Sequence, residues 1–145
     1  MHVRQQIREY IQGLLLNNTA AAGRVYTSRL SPVERDGVPA IIIYTKQEEN
    51  LVLTMGSPTI SSRDLELSIE LYVQGNVDID NILDSLAVEV ETLLGGQCVG
   101  SFFQSIGYES FEVEYEDSGD KKSLIGLMKY SVIYSVISDD PETGV

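Results

Sequence analysis

From Ser62 to Gln74 the chain reads Ser-Arg-Asp-Leu-Glu-Leu-Ser-Ile-Glu-Leu-Tyr-Val-Gln. Leu65, Leu67, Ile69, Leu71 and Val73 take every second place, and Glu66, Ser68, Glu70, Tyr72 and Gln74 fall between them. Successive side chains of a strand point to opposite faces, so the pattern predicts a strand with one apolar and one wet face. At about 3.3 Å per residue it runs on the order of 40 Å, beyond the usual strand length. Such a strand needs partners along its whole length, and the rest of the chain has to supply them.

Read in order, the chain does so. Val3, Ile7, Ile11, Leu14 and Leu15 recur at helical spacing and predict an amphipathic helix over Val3 to Leu16, ended at Asn17-Asn18. Arg24 to Thr27 is a short strand, Ser31-Pro32 and Asp36-Gly37 mark a loop, and Ala40 to Tyr44 is a strand apolar on both faces. Lys46 to Ser61 fits no element; with Leu51-Val52-Leu53 beside Gly56, Ser57 and Pro58 it is expected to be an over-long hairpin arm or loop, mobile until it meets a partner. After the long strand, Asp78 is placed to cap a second helix whose stripe is Ile79, Ile82, Leu83, Leu86, Val90, Leu93 and Leu94, closed by Gly95-Gly96. Gln97 to Gly107 reads as a connection, with Phe102-Phe103 a possible apolar contact. Phe111, Val113 and Tyr115 then alternate with Glu112, Glu114 and Glu116. A last strand carries Leu124, Met128, Tyr130, Val132, Tyr134 and Val136 at even positions.

Strands adjacent in sequence favour antiparallel pairing. The expected fold is α+β: a mostly antiparallel mixed sheet, two helices packed on one face, and a long projecting β-hairpin. Residues 1–137 form one domain, and 138–145 an acidic disordered tail. Glu66, Glu70, Glu112, Glu114 and Glu116 are expected on the face away from the helices, making that face acidic.

Charge and composition narrow the function classes. Lys and Arg number 10 against 22 Asp and Glu, a net charge of −12. The ionised residues up to Arg35 are mostly basic (Arg4, Arg8, Arg24, Arg29 and Arg35 against Glu9 and Glu34), and acids dominate beyond. That asymmetry predicts complementary surfaces between copies of the chain, or acids that only confer solubility. The longest apolar run, Val38 to Tyr44, is far short of a membrane span, and the first residues lack an apolar signal core, so neither membrane insertion nor secretion is expected. His2 and Cys98 are each alone of their kind and form no recognisable nucleophile–base pair. Phosphate-loop and dinucleotide fingerprints are lacking. Asp78 and Asp80 are explained by helix capping and the helix dipole, and together with Asp84 they lack the spacing of a calcium site; Glu112, Glu114 and Glu116 are explained by a solvated strand face rather than by acid–base chemistry. Basic stripes with interleaved aromatics, the mark of nucleic-acid binding, are also lacking. The residues therefore point to an interaction or structural protein, not an enzyme, with no cofactor and no metal.

Several stretches together carry a resemblance: the opening helix; Gly37-Val38-Pro39-Ala40-Ile41-Ile42-Ile43-Tyr44; the long strand ending Leu71-Tyr72-Val73; the second helix; Ile106-Gly107-Tyr108 before an acidic segment; and Met128-Lys129-Tyr130-Ser131-Val132-Ile133-Tyr134. In element order and local pattern, from about Val3 to Ile137, the chain resembles the tail terminator proteins of long-tailed bacteriophages, the lambda-like minor tail protein U type. The resemblance implies a virion protein assembled in the host bacterial cytoplasm. It implies a homohexameric ring that caps the tail tube, stops polymerisation of the major tail tube protein, and offers the surface for a head-completion or neck protein. DNA would pass through without specific binding, and an acidic wall would repel its phosphates. On this reading Leu51, Val52, Leu53, Arg4, Arg8 and Arg29 meet the tube or a neighbouring subunit. The Pro-containing loop Gly56 to Ser61 and the acidic tail depart from the family pattern. Two alternatives are another head–tail junction protein and a small-ligand-binding regulatory domain.

Overall fold

The long alternating stretch is the spine of the sheet. A computed structural model describes residues 1–27, 39–56, 59–75, 77–95, 103–117, 122–137 and 140–144. Its elements are α1 (Val3–Leu15), β1 (Val25–Tyr26), β2 (Ala40–Val52), β3 (Ile60–Gly75), α2 (Ile79–Gly95), β4 (Ser105–Asp117), β5 (Lys122–Ile137) and β6 (Asp140–Gly144). β3 pairs antiparallel with β2 on one side, from Ala40 opposite Tyr72 to Val52 opposite Ser61. On the other side it pairs with β5 from Ile60 opposite Ile137 to Gly75 opposite Lys122. Both edges of the long strand are thereby satisfied.

The sheet runs β1-β2-β3-β5-β4, with β6 joined to β5. Only β1 against β2 is parallel; the other pairings are antiparallel. β3 and β4 each run antiparallel to β5, which lies between them, so α2 is the connection that crosses over β5. The architecture is α+β, two helices on a mostly antiparallel mixed sheet.

Both helices pack on one face. α1 buries Val3, Ile7, Ile11 and Leu15, and α2 buries Ile79, Leu83, Leu86, Val90 and Leu94. They share one cluster with Ile41 and Ile43 of β2, the alternating apolar set of β3, and Met128, Val132, Tyr134 and Val136 of β5. At about 25 cal/mol per Å² of apolar surface removed from water, this burial is the main favourable term. Phe103 adds to it, 5.6 Å from Tyr10 in an edge-on contact. Phe102 and Cys98 lie outside the described residues. α1 ends where Asn17 takes a left-handed φ of 60°, a conformation Asn tolerates.

Four expectations are corrected. Lys46–Val52 is strand, paired with β3 across a bulge between Thr45 and Gln47, and the last ladder pair is Val52 opposite Ser61. Charged and amide side chains obscured the strand because only part of it faces the core. The tail is not wholly disordered: Asp140–Gly144 pairs with Val136 and Ile137, where β4 no longer occupies that edge of β5. Unmet backbone groups at the end of a long strand are costly enough to recruit a polar segment. Part of the supposed connection before Gly107 is already strand, since β4 starts at Ser105 and gains a second bulge between Tyr108 and Ser110. Asp78 is no ordinary N-cap: its φ is 55°, whereas a capping residue is extended. Its carbonyl accepts from Ile82 N at 3.2 Å.

Candidate interaction surface

The hairpin of β2 and β3 ends in apolar side chains that the core does not use. Leu51 is 65% exposed, Val52 56% and Leu53 54%, and Met55 is fully exposed. The tip closes by Leu53 N donating to Ile60 O and Ile60 N donating to Thr54 Oγ1, both at 2.8 Å. Leu51 and Val52 lie on opposite faces of the arm, so the patch wraps the tip instead of continuing the core stripe.

Behind the tip the bulge in β2 has a consequence that alternation cannot show. Past Lys46 the parity of the strand changes, and Glu48, opposite Leu65, falls on the helix side. There its side chain is 14% exposed and accepts from Arg4 Nη1 at 2.9 Å, with Arg63 Nη1 at 3.8 Å. The Tyr134 hydroxyl donates to its other oxygen. Burial and then the Glu48 carboxylate push the Tyr134 hydroxyl up to about 12. One carboxylate therefore ties α1, β2, β3 and β5 together.

This changes the role of the predicted cations. Arg4 is committed to Glu48, and Arg8 donates to Thr45 Oγ1 at 2.9 Å. Arg24 donates to the Pro39 carbonyl at 2.8 Å. These three arginines serve the fold, which weakens the expectation of a basic half available to a neighbouring copy. Arg29 lies outside the described residues. His2 is no frayed terminus: its Nδ1 accepts from Arg4 N at 3.1 Å and caps α1. Burial, and then the Arg4 charge, hold its pKa below the ordinary 6.5.

The register puts Glu66, Glu70, Glu112, Glu114 and Glu116 on the sheet face away from the helices. Their surroundings differ. Glu66 faces Lys129 Nζ at 3.8 Å. Glu70 accepts from the Tyr44 and Tyr72 hydroxyls, each at 2.8 Å. Burial first, and then Glu70, raise the Tyr72 pKa well above its ordinary value. Glu112, Glu114 and Glu116 on β4 are exposed. A shallow concavity of about 200 Å³ opens on the same face, lined by Gln47, Glu49, Asp64, Glu66, Glu109 and Ser131. Among the described residues, no cluster of His, Cys, Asp and Glu has the arrangement to hold a metal ion. Within them, no helix is long and apolar enough to cross a membrane.

Sequence reasoning located the apolar tip and the acidic face but missed the Glu48 junction. A carboxylate three residues past Thr45 gives no local sign of being turned inward.

No family model matches the chain, and no curated protein matches it. Among solved structures, a chain in the virion of a native gene transfer agent particle aligns over 91% of this chain and 92% of its own length, with a TM-score of 0.40 and 12% identity. At that level of similarity nothing about role or partners passes from that particle to this chain.

Proposed function

We propose that this chain is a structural subunit of a phage-like tail, a terminator that assembles as a homohexameric ring on the tail tube. The ring would stop polymerisation of the tube protein and offer the surface on which a head-completion protein joins, with DNA passing through unbound. The resemblance in element order and local pattern described above supports this reading. The observation that carries it is the exposed apolar tip at Leu51, Val52, Leu53 and Met55. Leaving such side chains in water forgoes roughly 1.5–3 kcal/mol of burial each, which a partner surface recovers in part after the cost of ordering both sides. The tip stands on a strand paired along its length, so it is presented on a firm support rather than a floppy loop.

The test replaces Leu51, Val52, Leu53 and Met55 together with Ser. All four side chains are exposed, so the fold and its melting temperature should survive. In an assembly reaction with the tube protein, the parent chain should limit tube length and the variant should allow over-long tubes. Light scattering and negative-stain imaging should show rings on tube ends with the parent chain only. Normal length control by the variant would refute the role of the tip. A parent chain that stays monomeric at high concentration and on purified tubes would refute the ring.

A further inference from the structure

β4 closes one side of the sheet. Its inner edge is paired with β5 from Ser105 to Asp117, and among the described residues no strand lies against its outer edge. An outer edge of this length is a template for another strand, and proteins normally blunt it with charge, a bulge or a cover. β4 carries a bulge near Glu109 and exposed carboxylates at Glu112, Glu114 and Glu116. If guarding were their whole purpose, the opposite face would be polar as well. It is not: Tyr108, Val113 and Tyr115 are each about half exposed on the helix side, Tyr108 with one edge against the Tyr130 ring at 5.6 Å. On the same side of β4, Ile106 and Phe111 pack inward, Phe111 against the core beside Gly126.

The edge therefore offers two different rows, carboxylates on one face and apolar side chains on the other. A second copy of β4 does not fit it. Antiparallel pairing about Glu114 would set Glu112 opposite Glu116 and Glu114 opposite itself, with every carboxylate on one face, and like charges directly opposite are destabilising. A strand with cations at every second position fits both rows. Cross-strand neighbours sit about 4.5–5.5 Å apart at Cβ, close enough for Lys or Arg to meet each Glu while the intervening side chains cover Val113 and Tyr108.

We propose that the outer edge of β4 takes an extended segment of a partner protein as an added strand, one whose side chains alternate between cationic and apolar. Main-chain hydrogen bonds hold the segment, and the two rows set its register and orientation. This surface lies on the opposite side of the sheet from the β2–β3 hairpin and is independent of the tail reading.

The test uses the full chain, isotope-labelled, with a nine-residue peptide alternating Lys and Val as the probe. Saturable binding up to about 1 mM peptide, with amide shifts confined to residues 105–117, is the expected result. The variant E112Q/E114Q/E116Q should keep the parent spectrum outside β4 and weaken binding by about tenfold. Methylating alternate peptide amides on the edge-facing side should abolish binding, because it removes main-chain donors while keeping every charge. Binding that survives methylation would be mere charge attraction and would overturn the proposal, as would shifts centred on the Glu49–Asp64 concavity. No binding of the unmodified peptide, or dimerisation of the chain through β4, would overturn it equally, leaving the carboxylates as guards only.

Discussion

Replacing Glu48 with Ala should destabilise the protein more than any other loss of a single charged side chain among the described residues. Glu48 is 14% exposed at its side chain and has three partners, each of which loses something different. The Tyr134 hydroxyl is on a fully buried residue and would lose a charge-assisted hydrogen bond, worth about 1.5–3 kcal/mol. Arg4 is 41% exposed, so water screens its pairing and the loss is about 0.2–1 kcal/mol. Arg63 stands 3.8 Å away, too far for a hydrogen bond, and contributes a few tenths, roughly 0.3 kcal/mol. The sum is about 2–4 kcal/mol, or about 6–12 °C in melting temperature for a domain of this size. Urea unfolding monitored by circular dichroism measures it, with an unchanged slope marking a stability effect. Glu48→Gln keeps an acceptor for Tyr134 and should cost about half as much. Because Arg4 belongs to the first turn of α1, amide exchange over Val3–Ile7 should accelerate in both variants. A Glu48→Ala protein within about 0.5 kcal/mol of the parent, or with unchanged exchange in α1, would refute the idea that this carboxylate joins the helix to the sheet.

Gly126→Ala should destabilise by about 1–3 kcal/mol in urea, since a Cβ there would lie 2.9 Å from a Phe111 ring carbon and 3.0 Å from Leu83 Cδ1. Leu83→Ala should relieve part of that overpacking while adding its own cavity cost. His2 has a folded-state pKa below its ordinary 6.5, so the unfolded chain binds more protons. Its contribution is therefore complete above about pH 6.5 and lost as pH falls through the folded-state value; His2→Asn, a cap that does not titrate, should flatten the stability profile below about pH 6.5. E112Q/E114Q/E116Q should leave stability within about 0.5 kcal/mol or raise it slightly, because these exposed carboxylates mainly repel one another; a sharp fall in melting temperature would show that they are paired.

Much of the fold was legible because the relevant signals are local. The two-residue period of Leu65 to Val73 marks β3 and its faces, and the 3.6-residue period of Val3 to Leu15 marks α1, whatever lies around them. Once β3 is central and antiparallel, the positions of Glu66 and Glu70 follow from parity, and those of Glu112, Glu114 and Glu116 from their alternation with Phe111, Val113 and Tyr115. The apolar tip was legible for a similar reason: Leu51-Val52-Leu53 interrupts a polar stretch where a solvated loop has no use for it.

Parity does not survive a bulge, and bulges are decided by what lies opposite. The extra residue between Thr45 and Gln47 turns Glu48 inward, where Arg4, Arg63 and Tyr134 meet it from three other elements. Their positions relative to Glu48 exist only after the sheet and α1 have assembled. The same holds for the tail: Asp140-Pro141-Glu142-Thr143-Gly144 has no strand-forming pattern, and pairs because β5 runs past the start of β4. Glu142 then receives the Met1 ammonium at 2.7 Å, and its carbonyl accepts from Gln6 Nε2 at 2.6 Å. The sequence by itself determined both helices, the apolar faces of β3 and β5 and the apolar tip, since those depend on neighbours a few residues apart. Only the tertiary structure decided which charges are committed to the fold and which strand edge is open among the described residues, since those depend on partners more than a hundred residues away in the case of the tail.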